Sequence, residues 1–351
     1  DGEGDAYWVA HNDGVRIGSH RDGLSGPAWD GVDITEVSVA VRDADDPRLD
    51  PEHRRFHVFL PTHEPSGCSL LVNGAFTTDM SRQHVQVAES TDNYNGYLVR
   101  QAAATFVGQL LPHLLDQGGL RYVLRALDRR GSGSGPAANL MSVALVAELS
   151  STPLIPANGA TLSLGEVVLP WPLLGAAGAD FAELLAADSR VEAKRFPDPE
   201  YCDGELTAVC ADYGATALSA AQSLQALARH VEPSAATLRT GSDPRYRVDP
   251  VLELCTLMWE RAGADERREL EEIASSEQVF PIGENEDGTV RRIVLGEESA
   301  FYPPASSAED LPLRRLRFLA HAVCWGRLGR SEQRSVLEDR MKAWDALFGI
   351  K

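Results

Sequence analysis

The chain has 351 residues, 43% hydrophobic and 24% charged, a composition that supports a folded protein and argues against wholesale disorder. With 52 acidic against 33 basic residues its net charge is −19, a field that repels nucleic acid and anionic membrane surfaces. Its length predicts roughly two or three domains, no apolar run is long enough to cross a bilayer, and five cysteines without a CxxC pair argue for a reduced, cytoplasmic setting.

The first half reads as strands followed by helices. "AYWVAH" predicts a strand, and "RDGLSGPAWDG" a glycine-rich loop. In "DITEVSVAVRD" Val37, Val39 and Val41 alternate with Ser38 and Ala40, the period of a half-buried strand. The acidic loop "DADDPRLDPEHR" leads to "RFHVFLP", predicted as one strand with Phe56, Val58 and Leu60 on one face. "CSLLVNGAF" places Asn73-Gly74 between apolar runs, which predicts a type I′ hairpin turn with two positive φ angles. "TTDMSRQHVQV", residues 77–87, follows; here Arg82 is predicted to open a short helix, with Gln86 one turn later on the same face. Leu98, Ala102, Phe106, Leu110 and Leu114 then mark a long amphipathic helix, interrupted at Pro112 and stopped by Gly118-Gly119. A further helix, "LRYVLRALDRR", ends at "GSGSGP", residues 131–136, read as a flexible linker and the main domain boundary.

The second half has a different texture. Helix "AANLMSVALVAELSS" runs into "TPLIPANGATLSLGEVVLP", and helices "PVLELCTLMWERAG" and "ERRELEEIASS" run into "EQVFPIGENEDGTVRRIVLGEESAFYPP". Both follow one plan of helix, apolar-Pro, polar turn and short strand, consistent with a degenerate repeat of about 125 residues. "TALSAAQSLQALARHVEP" is a clean helix, and "DLPLRRLRFLAHAVCWGRL" with "SEQRSVLEDRMKAWDALF" predicts a helical pair joined through Gly329. The chain starts without methionine and ends within an amphipathic helix, as expected of a segment of a longer protein.

The common catalytic signatures are missing: there is no Walker loop, dinucleotide GxGxxG, HExxH, or GxSxG in a strand-turn-helix setting. His53, His57 and His63 cluster without a helper carboxylate motif, and Cys202 and Cys210 lack nearby histidines, so no metal site is predicted. Arg82 and Gln86 are the candidate chemistry. An arginine offers a planar fork of donors to a phosphate, and a glutamine can orient a water or a neighbouring side chain.

"MSRQHVQ" resembles the catalytic loop in the middle domain of the ninety-kilodalton heat-shock chaperones, apolar-Ser-Arg-Glu-x-apolar-Gln. Met80, Ser81, Arg82, Val85 and Gln86 stand at matching positions, and Gln83 replaces the usual Glu. "FHVFLPTHEPSGCSLLVNGAF" is similar to the block that precedes an arginine-bearing loop in sacsin-type repeats, and "TPLIPANGATLSLGEVVLP" and "VFPIGENEDGTVRR" resemble segments that follow such modules. The likeness covers residues 7–117 best.

The resemblance implies an α+β chain from a GHKL-type ATPase. Residues 1–130 would be a transducer-like middle domain, a four-stranded sheet of the ribosomal-protein-S-five type with helices on one face and a left-handed β-α-β crossover. Residues 137–351 would be a mostly helical domain with short hairpins. Arg82, with Ser81, would contact the γ-phosphate of ATP held with magnesium in a preceding ATP-binding domain, and Gln86 would assist. That pocket is not in this sequence, so the fragment alone is expected to bind no cofactor and no metal and to be inactive. "DGEGD" at the start lacks the strand and lid that would make it part of such a pocket. The helical half would bind a protein client, a partner subunit or a second copy, as a bacterial stress chaperone or a defence ATPase would. A non-catalytic interaction scaffold is the first alternative. A DNA-handling GHKL relative is the second; the absence of lysine between Asp1 and Ser189 and the charge of −19 count against it.

Overall fold

The computed structural model of the chain describes residues 5–21, 24, 29–81, 83–87, 93–169, 195–230, 239–240, 247–282, 291–296, 300–302, 317–318, 338 and 341–350. The described elements are mixed α and β and fall into two units, Asp1–Val167 with Glu205–Thr216, and Val168–Gly204 with Ala217–Lys351.

In the first unit, alternation builds the sheet as expected. Strand β1 (Ala6–Arg16) pairs antiparallel with β2 (Ile34–Asp43), in which Val37, Val39 and Val41 are fully buried while Ser38 and Ala40 on the other face are half-buried. Three shorter strands follow, β3 (Arg55–Val58), β4 (Leu60–Pro65) and β5 (Leu71–Gly74). The sheet has five strands in the order β1-β2-β5-β3-β4, not four, with β5 antiparallel to β2 and parallel to β3. All five precede the first α-helix, so a β-α-β crossover is not found among the described residues of this sheet.

Two turns differ from expectation. Asn73 and Gly74 do not turn; they lie inside β5 opposite Ser38 and Val37, and neither has a positive φ. Gly74 serves close approach instead, since a β-carbon there would meet the Phe76 ring at 3.1 Å and Glu36 O at 3.3 Å. The chain reverses at Phe59, inside "RFHVFLP", with φ 62°. The Asn73 side chain accepts the Phe59 N–H at 3.2 Å and so supports the turn from the neighbouring strand.

Helix α1 (Tyr94–Thr105), a π-helical segment Phe106–Leu110 and α2 (Leu111–Ala126) form one continuous rod up to Gly119. Leu98, Ala102, Phe106, Leu110 and Leu114 are all buried, as predicted. A four-residue repeat drifts about 40° per step on an α-helix; the wider π turn absorbs part of that drift and keeps the stripe facing inward. Pro112 follows directly on the π turn, where Leu111 N–H bonds Phe106 O and the regular α ladder that a proline would break is already shifted, and Gly119 (φ 71°, ψ −178°) breaks the rod before it resumes. Helix α1 packs on β1 and β2, and α3 (Pro136–Leu149) packs on α1 and β4. Helix α4 (Gly204–Asp212), unforeseen in the sequence, completes the unit.

The segment 131–136, expected to be a flexible linker and boundary, is packed within this unit. Buried Arg54 donates to Arg130 O and to Ser132 Oγ, both at 2.9 Å. A β-carbon on Gly133 would meet Pro65 at 3.1 Å, so these glycines permit close contact with β4. Downstream, β6 (Pro153–Ala157) and β7 (Ala160–Ser163) form a hairpin whose turn residues Asn158 and Gly159 have φ 48° and 78°. The two-positive-φ turn expected at Asn73-Gly74 is made by this second Asn-Gly pair.

In the second unit, α5 (Ala220–His230), α6 (Pro250–Arg261) and α7 (Ala264–Ser276) surround a core of Leu224, Leu252, Met258, Leu270, Phe280 and Trp344. Strands β8 (Gln278–Ile282) and β9 (Arg291–Val294) pair antiparallel directly after α7, the same local plan as α3 with β6 and β7. Of the predicted terminal helical pair, 341–348 is helical, whereas Arg317–Phe318 is a short strand parallel to Ala300–Phe301; most of the rest, Gly329 included, lies outside the described residues.

Candidate functional site

Residues 77–81 and 83–87 form the two limbs of a tongue, not a helix. Thr78 and Val85 make an antiparallel bridge, Gln86 N donates to Thr77 O at 3.1 Å, and Asp79 N donates to His84 O at 3.0 Å. The reason is Asp79. Its Oδ1 accepts the N–H groups of Gln83 (2.9 Å) and His84 (3.3 Å), and its Oδ2 accepts the Ser81 hydroxyl (2.7 Å). A carboxylate that captures the following N–H groups offers the backbone an alternative to helix. The Ser81 hydroxyl foremost, with the N–H groups of Gln83 and His84, holds the Asp79 carboxyl below the usual carboxylate range.

The tongue is anchored at three places. Its foot inserts Val85, which is buried like Phe76 just before it. Its side meets the edge strand β4, where His63 N donates to Gln83 O at 2.7 Å and His84 Nδ1 lies 3.4 Å from Glu64 Oε2. Its base is gripped by Asn95 in the first turn of α1. Asn95 Oδ1 accepts Thr77 N–H at 2.8 Å, and Nδ2 donates to Thr77 O at 2.7 Å and Gln86 O at 2.8 Å.

Of the predicted site residues, Arg82 lies outside the described residues. Its chain neighbours Ser81 and Gln83 are exposed, as are Met80 and His84. Ser81 gives its proton to Asp79, so its hydroxyl is committed to the tip's own order. Gln86 is exposed and stands at the tongue's foot opposite Thr77, and residues 83–87 are not helical as the expected Arg82–Gln86 helix would have them.

Asp79, Glu64 and Asn95 escaped sequence reasoning. The spacing of Asp79 ahead of Ser81, an aspartate two residues before a hydroxyl in a polar loop, is the signal that could have shown a capped turn. Glu64 and Asn95 act through contacts distant in sequence and left no local trace. His53, His57 and His63 are not brought together. Among the described residues the histidine and carboxylate group with ligand-like spacing is Asp50, Glu52 and His53, all exposed. Burial, with a smaller contribution from Arg55, lowers the His57 pKa. Cys68 is fully buried and its thiol is pushed up to about 11 by that burial, far from nucleophilic.

A cleft of about 550 Å³ lies at the opposite edge of the sheet, lined by Trp8, Asp43, Asp45, Arg121, Tyr122 and Arg125 among others. It lies on the β1 side, whereas the tongue borders β4. Its walls carry both signs of charge. Among the described residues no helix is long and apolar enough to cross a membrane.

No protein-family model, curated protein or solved structure matches the chain.

Proposed function

We propose that the tongue is the phosphate-facing arm of a GHKL-type ATPase, presenting Arg82 to the γ-phosphate of ATP held in a separate ATP-binding domain. The observation that carries the reading is that the described residues flanking Arg82, Ser81 and Gln83, are exposed on a tongue whose base is fixed by buried Asn95. A guanidinium delivered from outside a nucleotide pocket must arrive in a set place, and a braced tongue does that at less entropic cost than a free loop. Arg82 offers its donor fork to the phosphate as negative charge shifts during transfer. Ser81 serves the tip's order through Asp79 rather than the phosphate itself. Gln86, exposed beside the foot, orients water or a neighbouring group. Bound ATP and magnesium supply the reacting phosphate and its counter-charge. The second, mostly helical unit takes a protein client, a partner or a second copy.

The test joins this chain to its ATP-binding domain. Arg82→Ala is expected to lower ATP turnover by ~10³-fold while ATP affinity changes little. Equal loss of turnover and affinity overturns the reading. The 351-residue chain alone is expected to show no thermal shift with magnesium and ATP, and a clear shift also overturns it.

A further inference from the structure

Asn95 is almost fully buried, at 1% exposure, and its side-chain amide is spent on the foot of the tongue. Its three hydrogen bonds go to main-chain groups on both limbs of the tongue, Thr77 N, Thr77 O and Gln86 O. It treats Thr77 as a neighbouring strand would, using both its N–H and its C=O. The third bond fastens the returning limb at Gln86. One amide thus fixes the separation of the two limbs where they leave the core.

Asn95 is itself held firmly. It sits in the first turn of α1, which is capped by Asn93 Oδ1 accepting Gly96 N–H at 2.7 Å. Leu98, Val99 and Ala102, on the turns that follow, are completely buried. The foot of the tongue is therefore tied to the helix layer, while the tip is ordered separately by Asp79. From this geometry, and resting on the function proposed above, we infer that Asn95 is a positioning residue: it sets where the tongue, and with it Arg82, stands. No other residue type of this size supplies one acceptor and two donors in one plane. Removing it leaves Thr77 N–H, at the edge of the core, without its partner.

The test has two arms. In the 351-residue chain, amide exchange is followed residue by residue in wild type, Asn95→Ala and Asn95→Asp. Alanine is favourable in a helix, so α1 is expected to persist, with protection at Val99 and Ala103 unchanged. Protection at Gln86, and in Asn95→Ala also at Thr77, is expected to fall by about tenfold or more. Asn95→Asp keeps the shape and the acceptor for Thr77 N–H but loses the two donors; a tongue held by packing alone would tolerate it. Unchanged protection at Gln86 in either variant, or at Thr77 in Asn95→Ala, overturns the inference, whatever the protein's activity.

In the second arm the chain is joined to its ATP-binding domain. Asn95→Ala is expected to lower kcat by about tenfold with KM for ATP nearly unchanged. If Arg82→Ala lowers turnover and Asn95→Ala does not, the positioning role is overturned and the proposed function stands. If neither variant changes turnover, the proposed function fails and the role of Asn95 in it fails as well.

Discussion

Gly135 and Glu64 approach so closely that no side chain fits between them: a β-carbon on Gly135 would lie 2.5 Å from Glu64 Oε1. The same oxygen accepts Ala137 N–H at 3.4 Å, so Glu64 caps α3, whose own N-cap residue has no side chain to offer. Gly135→Ala must displace a buried carboxylate from a helix terminus and is expected to cost about 1–3 kcal/mol. Gly108→Ala is the control. A β-carbon there meets nothing within 4 Å, and the change is expected to be neutral or to stabilise by up to ~1 kcal/mol. Urea unfolding midpoints of the two variants measure the difference.

Phe59 carries a conformational cost with little packing in return. It has φ 62° and is 82% exposed, at the one-residue turn between β3 and β4. A bulky side chain in the left-handed region costs roughly 1–2 kcal/mol, and glycine avoids that cost. Phe59→Gly is expected to stabilise the chain by about 0.5–1 kcal/mol, because glycine gives back part of the gain as unfolded-state entropy. Thermal unfolding of the variant gives the sign directly. A loss of stability would mean that the ring packs in solution.

What was legible in the sequence was periodicity. Val37, Val39 and Val41 gave the buried face of β2, and Leu98 through Leu114 gave the inner face of the helical rod, because burial on one side writes a period into the chain. Turn chemistry was legible only where nothing tertiary competed. Asn158-Gly159 makes its hairpin, but the same dipeptide at 73–74 is drawn into the sheet by Ser38 and Val37. Phe59, which does turn, carries no local turn signal; its support comes from Asn73 on another strand. The glycines of 131–136 read as freedom and serve as close contacts, a distinction set by Pro65 and Glu64 some seventy residues away. In the candidate site the resemblance singled out the tongue, but its helical form was misjudged because one aspartate side chain redirected two N–H groups.

Acid should loosen the first unit through Asp128. Burial alone would raise its pKa, but hydrogen bonds from Arg130, through the guanidinium and the backbone N–H, outweigh burial and lower it. Asp46 is likewise lowered, first by the Arg48 guanidinium. A carboxylate with a depressed folded pKa binds fewer protons folded than unfolded, so stability rises with pH across that window. Its contribution is complete above the unfolded carboxylate range near pH ~4 and is lost as pH falls through the lower folded value. Asp128→Asn is expected to be less stable at neutral pH and to show a shallower fall in urea midpoint below about pH 4. Parallel curves for the variant and wild type would show that Asp128 does not supply the slope.

The tip of the tongue should respond to Asp79 without involving the core. Asp79 is half-buried but bonds only to exposed Ser81, Gln83 and His84, so Asp79→Ala is expected to leave the global unfolding midpoint nearly unchanged. Amide protection at Gln83 and His84 should fall, while protection at Thr77 and Gln86, held at the foot by Asn95, should remain. In wild type the lowered pKa of Asp79 keeps the cap charged at pH 5, and its contribution is lost only as pH falls below the ordinary carboxylate range. Protection factors at Gln83 and His84, corrected for intrinsic exchange, should therefore be steady down to about pH 4 and decline below it. Loss of protection at the foot in Asp79→Ala would show that tip and foot order as one unit, and the separate assignment of Asp79 to the tip and Asn95 to the base would fail.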